Sequence, residues 1–306
     1  MSKHSVVQSV IERPKLQVAE LIICSLLILL LATGTYWRNG VWNSEAELWA
    51  DCVKKSPNKD RPHDFLGTAL FNEGKYQDAI KQFNEAIRIN PNFAEVHNNL
   101  GVVFLNHGEY EEAILHLKEA LRIKPSYADA HNNLGNAFSR QGRHDEAINQ
   151  YKQAIRVDPN FAEAQNNLGV SFFNQGKYEE ATHQYREALR ISPDYAEAHN
   201  NLGNVFSMQT EYQEAINQYN EALCMNPNFA GAHYNLGNVF LKQGKYREAI
   251  NHFNEAVRIN PNYAEAHHNL GNAYLMIGNR SLALKEYEIL KTINPSLANN
   301  LYQNIK

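Results

Sequence analysis

Cysteine is scarce in this chain. Cys24, Cys52 and Cys224 are odd in number, far apart and without metal-ligand spacing, so neither a disulfide framework nor a zinc site is indicated. An excess of positive charge is also missing. The 29 Lys and Arg against 33 Asp and Glu give a formal net charge of −4 and a pI near 6.4. No basic field is available to hold phosphates, so no nucleic-acid partner is expected. The sequence contains no glycine-rich phosphate loop, no nucleophile elbow and no pair of carboxylates in a unique setting. Neither catalysis nor a cofactor or metal is therefore expected.

What is present is periodicity. In Ala94 to Tyr127, Val96, Leu100, Val103 and Phe104 fall at i, i+4, i+7 and i+8, the apolar stripe of one amphipathic helix. Gly108 breaks it. Tyr110, Ala113, Ile114, Leu117, Ala120 and Leu121 then recur at three- and four-residue intervals until Pro125, which predicts a second helix. The 34-residue unit is a helical hairpin, and seven copies follow without a gap: 60–93, 94–127, 128–161, 162–195, 196–229, 230–263 and 264–297. Each carries a glycine at its eighth position (Gly67, Gly101, Gly135, Gly169, Gly203, Gly237, Gly271), where a side chain would hold the two helices apart. Alanines at 79, 113, 147, 181, 215, 249 and 283 are expected to serve the same close contact.

A leucine before that glycine, then an aromatic, an alanine, another aromatic and a proline make a pattern that resembles the tetratricopeptide repeat family over 238 of 306 residues. The resemblance implies an all-α fold, a superhelix of stacked hairpins in an α-solenoid, whose concave wall binds extended polypeptide. In such an array each unit packs only on its neighbours, and the ends need covering. Residues 44–59, with Trp49 and Cys52 in the register of a second helix and Ser44 and Glu47 at capping-box spacing, are expected to be a capping half-repeat. Leu297, Leu301 and Ile305 mark a closing helix, placed at 298–306. Asn92 with Glu95, Asn160 with Glu163, Asp194 with Glu197 and Asn262 with Glu265 have the spacing of N-cap and N3. Thr210 replaces an inter-helix glycine, which is expected to tighten or strain one turn.

The amino terminus reads differently. A polar tail, 1–15, precedes an apolar run at 16–37 whose last seventeen residues carry no charge. At ~1.5 Å per residue the run reaches about 33 Å, enough to span a bilayer core, so one transmembrane helix is expected. A cleaved signal peptide is the competing reading, given Ala32 and Gly34. Lys3, Arg13 and Lys15 before the run against Arg38 after it place the repeats on the exoplasmic side, periplasmic or luminal. Residues 36–67 also resemble the membrane-to-repeat junction of polytopic glycosyltransferases of the O-mannosyltransferase type, through Arg38, Asn39, Trp42, Glu45, Leu48, Trp49, Pro57 and Arg61. That likeness implies an accessory or detached carboxy-terminal part of such an enzyme, because the family's earlier membrane helices and catalytic loop are absent.

The candidate site is a column of primary amides. The sixth residue of six consecutive copies is asparagine (Asn99, Asn133, Asn167, Asn201, Asn235, Asn269), and so is the ninth in Asn136, Asn204, Asn238 and Asn272. Asparagine inside a helix costs up to about 0.7 kcal/mol relative to alanine, so the column needs a reason. An amide offers donor and acceptor together and can bind a peptide backbone whatever its side chains. The column resembles the asparagine ladder in arrays of the O-GlcNAc transferase type, which implies a peptide-binding role. The alternative is structural, with the amides bonding across neighbouring repeats. Beside them, Phe71, Leu105, Phe173, Leu241 and Leu275 at the twelfth position and Tyr234 at a fifth could touch ligand side chains or pack on the next unit.

Two further constellations fail. The family's carboxylate clamp needs basic residues, whereas the second position here carries Glu95, Asp129, Glu163, Glu197 and Glu265. Histidines at the fourth position (His63, His97, His131, His199, His233, His267) stand on helices about 8 to 10 Å apart, too far for one ion to be shared, and are expected to be core packing.

Overall fold

The computed structural model describes residues 44–306. Among them are sixteen α-helices: α1 (Glu45–Lys55), α2 (Asp60–Asn72), α3 (Tyr76–Ile89), α4 (Ala94–His107), α5 (Tyr110–Ile123), α6 (Ala128–Arg140), α7 (His144–Val157), α8 (Ala162–Asn174), α9 (Tyr178–Ile191), α10 (Ala196–Met208), α11 (Tyr212–Met225), α12 (Ala230–Lys242), α13 (Tyr246–Ile259), α14 (Ala264–Met276), α15 (Arg280–Ile293) and α16 (Pro295–Ile305). Among the described residues no helix is long and apolar enough to cross a membrane. The spanning helix expected at 16–37, the tail 1–15 and the first residues of the glycosyltransferase-like junction lie outside the described residues. The chain divides into two compact units, Met1–Val103 and Phe104–Lys306.

In the first unit, α1 packs on α2 and α2 on α3. Ser44 caps α1, its hydroxyl accepting from the Glu47 backbone N–H at 3.2 Å. Ala46, Leu66 and Ala69 are buried together, with Trp49, Val53 and Leu70 against them, and the Trp49 and Phe65 rings stack at 4.4 Å. The half-helix thus covers apolar surface that α2 would otherwise expose to water.

In the second unit the second helix of each hairpin packs against the first helix of the next. Helix α13 shows why these segments are helical: Ala249, Ile250, Phe253 and Ala256 fall on one stripe and are all buried. A side chain at the eighth position would hold the two helices of a hairpin apart, as the sequence implied. A Cβ added at Gly135, Gly169, Gly203 or Gly237 would lie 2.6 to 2.7 Å from a ring carbon of Tyr151, Tyr185, Tyr219 or Phe253. The glycine makes room for an aromatic ring of the second helix, and the recurrent alanines are fully buried. At the inter-helix turns Gly142, Gly176, Gly244 and Gly278 take φ of 72° to 77°, and Thr210 adopts φ 65° in their place. That is left-handed backbone for a β-branched residue, as the sequence implied.

Two boundaries differ from the sequence reading. Asn160, Asp194 and Asn262 do not act as N-caps. Helices α8, α10 and α14 are preceded by Phe161, Tyr195 and Tyr263 at the cap position, with no side-chain cap bond. The polar residue before the proline serves the loop instead. Asp158 and Asn260 accept from the backbone N–H of Asn160 and Asn262, at 2.9 and 3.2 Å, forming Asx turns. The closing helix begins at Pro295 and not at 298, because Asn294 caps it by accepting from Leu297 N–H. Proline suits its first turn, where no N–H is needed. Leu301 of this helix is fully buried against Gly271.

Candidate functional site

The sixth-position amides are tied across neighbouring repeats. In the first unit Asn99 Nδ2 donates to Asp64 Oδ1 at 3.0 Å. In the second, Asn167 donates to Asn132 Oδ1 at 3.1 Å and Asn136 Oδ1 at 3.2 Å. Asn201 donates to Asn166 and Asn235 to Asn200, both at 3.0 Å. Asn269 donates to Asn238 Oδ1 at 2.8 Å and the Tyr234 hydroxyl at 3.3 Å. Asn133 is engaged as well. The acceptors stand at the fifth position of the preceding repeat, joined by the ninth-position Asn136 and Asn238, and Asp64, Asn132, Asn166 and Asn200 are buried. Burial raises the Asp64 carboxyl above its ordinary range, opposed by the Asn99 bond and reinforced by Glu95 and Asp60.

The ninth-position amides spend the opposite end. Asn136 Oδ1 accepts from the Tyr151 hydroxyl and Asn204 Oδ1 from the Tyr219 hydroxyl, each at 2.8 Å. Asn238 Oδ1 takes the bond from Asn269, and Asn272 Oδ1 accepts from Asn304 of the closing helix at 2.9 Å. Within the second unit this leaves the Oδ1 of Asn167, Asn201 and Asn235 without a donor among the described residues, and the Nδ2 of Asn136, Asn204 and Asn238 without an acceptor among them. All six side chains are half-buried. The face therefore offers water or a ligand a fixed set of carbonyl oxygens and amide donors.

Two cavities open on it. One, of about 450 Å³, is lined by Leu105, Asn136, Ser139, Arg140, Tyr151, Glu163, Asn167, Val170 and Tyr195. The other, of about 340 Å³, is lined by Phe173, Asn204, Ser207, Met208, Tyr219, Asn235, Asn238, Leu241 and Lys242. Of the twelfth-position residues the sequence singled out, Leu105, Phe173 and Leu241 line these cavities. Phe71 packs edge-on to Tyr76 at 5.7 Å, and Leu275 and Tyr234 pack against the terminal core. Sequence reasoning missed the serines and the two tyrosine hydroxyls. Their signal was that only repeats three and five combine Ser at the twelfth position with Asn at the ninth and Tyr in the second helix.

The fourth-position histidines are bridges rather than plain packing. His131, His199 and His267 reach the carbonyl of the proline six residues earlier through Nε2, at 3.1, 3.2 and 3.0 Å. Through Nδ1 they meet Gln150, Gln218 and Glu286 of the second helix, at 2.8, 2.8 and 2.6 Å. His267 stands between the Glu286 carboxylate and the Pro261 carbonyl. Burial opposes its charge, but the Glu286 hydrogen bond, the Pro261 carbonyl and the Glu286 charge outweigh that and raise its pKa. His233 instead meets His252, Nδ1 to Nδ1 at 3.3 Å, and burial lowers both rings. Among the described residues no group of three or more His, Cys, Asp or Glu could hold a metal ion.

The family model described as the cilia and flagella-associated protein 70 C-terminal domain matches residues 26–233. Tetratricopeptide repeat models match residues 237–278 and 218–251. No curated protein matches the chain. Among solved structures, the Cut9–Hcn1 hetero-tetramer of APC/C superposes with a TM-score of 0.69 at 21% identity, over 85% of this chain. The chain spans 52% of that chain's length, and the likeness is one of fold. Pseudomonas aeruginosa PilF superposes with a TM-score of 0.62 at 25% identity, covering 70% of this chain and 97% of PilF.

Proposed function

This chain belongs to the tetratricopeptide repeat family described by the cilia and flagella-associated protein 70 C-terminal domain model, and we propose that it is a non-catalytic scaffold that binds extended polypeptide along its amide face. One observation carries the reading. In the second unit Asn167, Asn201 and Asn235 use their nitrogen inside the array and Asn136, Asn204 and Asn238 use their oxygen, so carbonyl oxygens from sixth positions and N–H₂ groups from ninth positions are left for a guest, as the two groups of a peptide unit require. Each hydrogen bond contributes about 0.5 to 1.5 kcal/mol net, and ordering a flexible peptide offsets much of the sum, so affinities near micromolar are expected.

The test uses valine, which already stands at the ninth position as Val102 and Val170. The triple variant Asn136→Val, Asn204→Val, Asn238→Val places helix residues native to this register and removes three free donors, together with the oxygens that accept from Tyr151, Asn167, Tyr219 and Asn269. Capture of extended peptides should fall with far-ultraviolet circular dichroism unchanged; undiminished capture would refute the reading.

The uncharged run at 21–37 supports tethering of the scaffold to a membrane, with the repeats exoplasmic. Alkaline extraction and protease protection test both, and release at high pH or cleavage from the wrong side would dismiss them. The likeness of 36–67 to a glycosyltransferase junction favours a second reading of the same face, the presentation of acceptor proteins to a polytopic transferase. Purification of the full chain without any such transferase counts against it.

A further inference from the structure

The two cavities are related by the repeat. Ser139 and Ser207 both stand at the twelfth position, two copies apart, where repeats one, two, four, six and seven carry Phe71, Leu105, Phe173, Leu241 and Leu275. A large residue there would occupy the space, so the serines open it. In each case the adjoining tyrosine, Tyr151 or Tyr219, is held by the neighbouring asparagine and by the serine itself. The intervening copy lacks the set, having Val170 and Phe173 in place of asparagine and serine.

We propose that these cavities are paired sockets for one extended segment that inserts two tyrosine-like side chains, about six residues apart. The claim rests on the scaffold reading and adds the class and register of the ligand. The socket chemistry selects the side chain. Leu105 and Val170 line one socket and Phe173 and Leu241 the other, which rewards an apolar ring. The free asparagine N–H₂ would be left unpaired beneath an aliphatic side chain, so a ring with a hydrogen-bonding tip fits better than leucine. Cavities of about 450 and 340 Å³ admit such a ring.

The spacing follows from packing. Adjacent first helices are joined directly by the 3.0 Å amide bonds, as between Asn201 and Asn166. Helices in such contact lie about 10 Å apart, so two repeats cover about 20 Å. An extended chain rises ~3.3 Å per residue and alternates its faces, so six residues bridge that distance and bring both rings to the same side.

Fluorescein-labelled thirteen-residue peptides in a serine–threonine host supply the probe, with tyrosines at i and i+6, at i and i+5, at i and i+3, or with one tyrosine only. Anisotropy is measured against the full chain. The i, i+6 peptide should bind at least about tenfold tighter than the others. Ser139→Phe or Ser207→Phe fills one socket with the residue native to repeats one and four, so folding is retained. Either change should reduce the i, i+6 peptide to the affinity of the single-tyrosine peptide, and the pair should abolish the advantage of a ring altogether. Equal affinities at every spacing, or binding indifferent to both phenylalanines, would overturn the sockets. If such binding is still lost in the Asn136→Val, Asn204→Val, Asn238→Val variant, the scaffold reading survives. Failure of every peptide to bind would remove both.

Discussion

Replacing Asn201 by alanine asks whether the amide column holds the array together. The residue donates at 3.0 Å to Oδ1 of Asn166, which is 6% exposed. Losing the bond costs about 1 kcal/mol net, and up to about 3 if the Asn166 oxygen is left dry. Alanine returns at most ~0.7 kcal/mol through better helix propensity. The balance is a destabilisation of about 1 kcal/mol, read as a lower urea midpoint by circular dichroism at 222 nm. Removing Asn166 as well eliminates the stranded acceptor, so the cycle Asn201→Ala, Asn166→Ala and both should show a coupling of about 0.5 to 1.5 kcal/mol. A single variant that is more stable than the parent, with no coupling, would mean that the bond contributes nothing and would refute the tied column.

Three further outcomes are expected. Gly169→Ala brings a Cβ to 2.7 Å from the buried Tyr185 ring, so it should destabilise by about 1 to 3 kcal/mol despite a propensity gain near 1, and Tyr185→Leu, which copies Leu117 of repeat two, should recover most of the loss in urea melts. Thr210→Gly relieves a φ of 65° and should raise the urea midpoint, by up to about 1 kcal/mol; no gain would show the turn to be unstrained. His267 has a raised folded pKa, so its pair with Glu286 stabilises fully below the ordinary imidazole value of about 6.5, and that stability fades as pH rises through the folded value. Glu286→Gln, which recreates the His131–Gln150 pair, should remove this loss of thermal stability as pH rises above about 6.5, and identical pH profiles would reject the charged pair.

The hairpin period was legible because it is a local pattern, with an apolar stripe, a left-handed turn and a proline at fixed offsets. Thr210 could be singled out for the same reason: its neighbours in register are glycines. The N-caps were misread because spacing alone cannot say which residue turns first. Asn160 sits one residue too early, with Phe161 at the cap and Asp158 bonding back into the loop. Both readings of the amide column could be written from sequence, but not that the amides bond across repeats and still leave one end of several unpartnered. That depends on whether Asn167 Nδ2 reaches Asn132 and Asn136, a matter of distances between helices 31 to 35 residues apart. The socket serines were visible as letters, yet a cavity is a property of the larger residues missing beside it.

For the proposed scaffold, the internal bonds favour ligand binding rather than compete with it. An isolated asparagine on a helix can rotate and offer either end, so a guest must pay to order it. Here Asn201 and Asn235 are fixed by Asn166 and Asn200, and Asn136 and Asn204 by Tyr151 and Tyr219, before any peptide arrives. The tied end sets which end faces outward, so acceptor and donor positions are assigned by the fold. It also follows that a change on the hidden side, such as Asn166→Ala, should weaken peptide binding without touching the ligand, by freeing the amide of Asn201 to turn. A peptide affinity unchanged by Asn166→Ala, in a variant that still folds, would mean that preorganisation contributes nothing and that the outward groups act independently of the ladder beneath them.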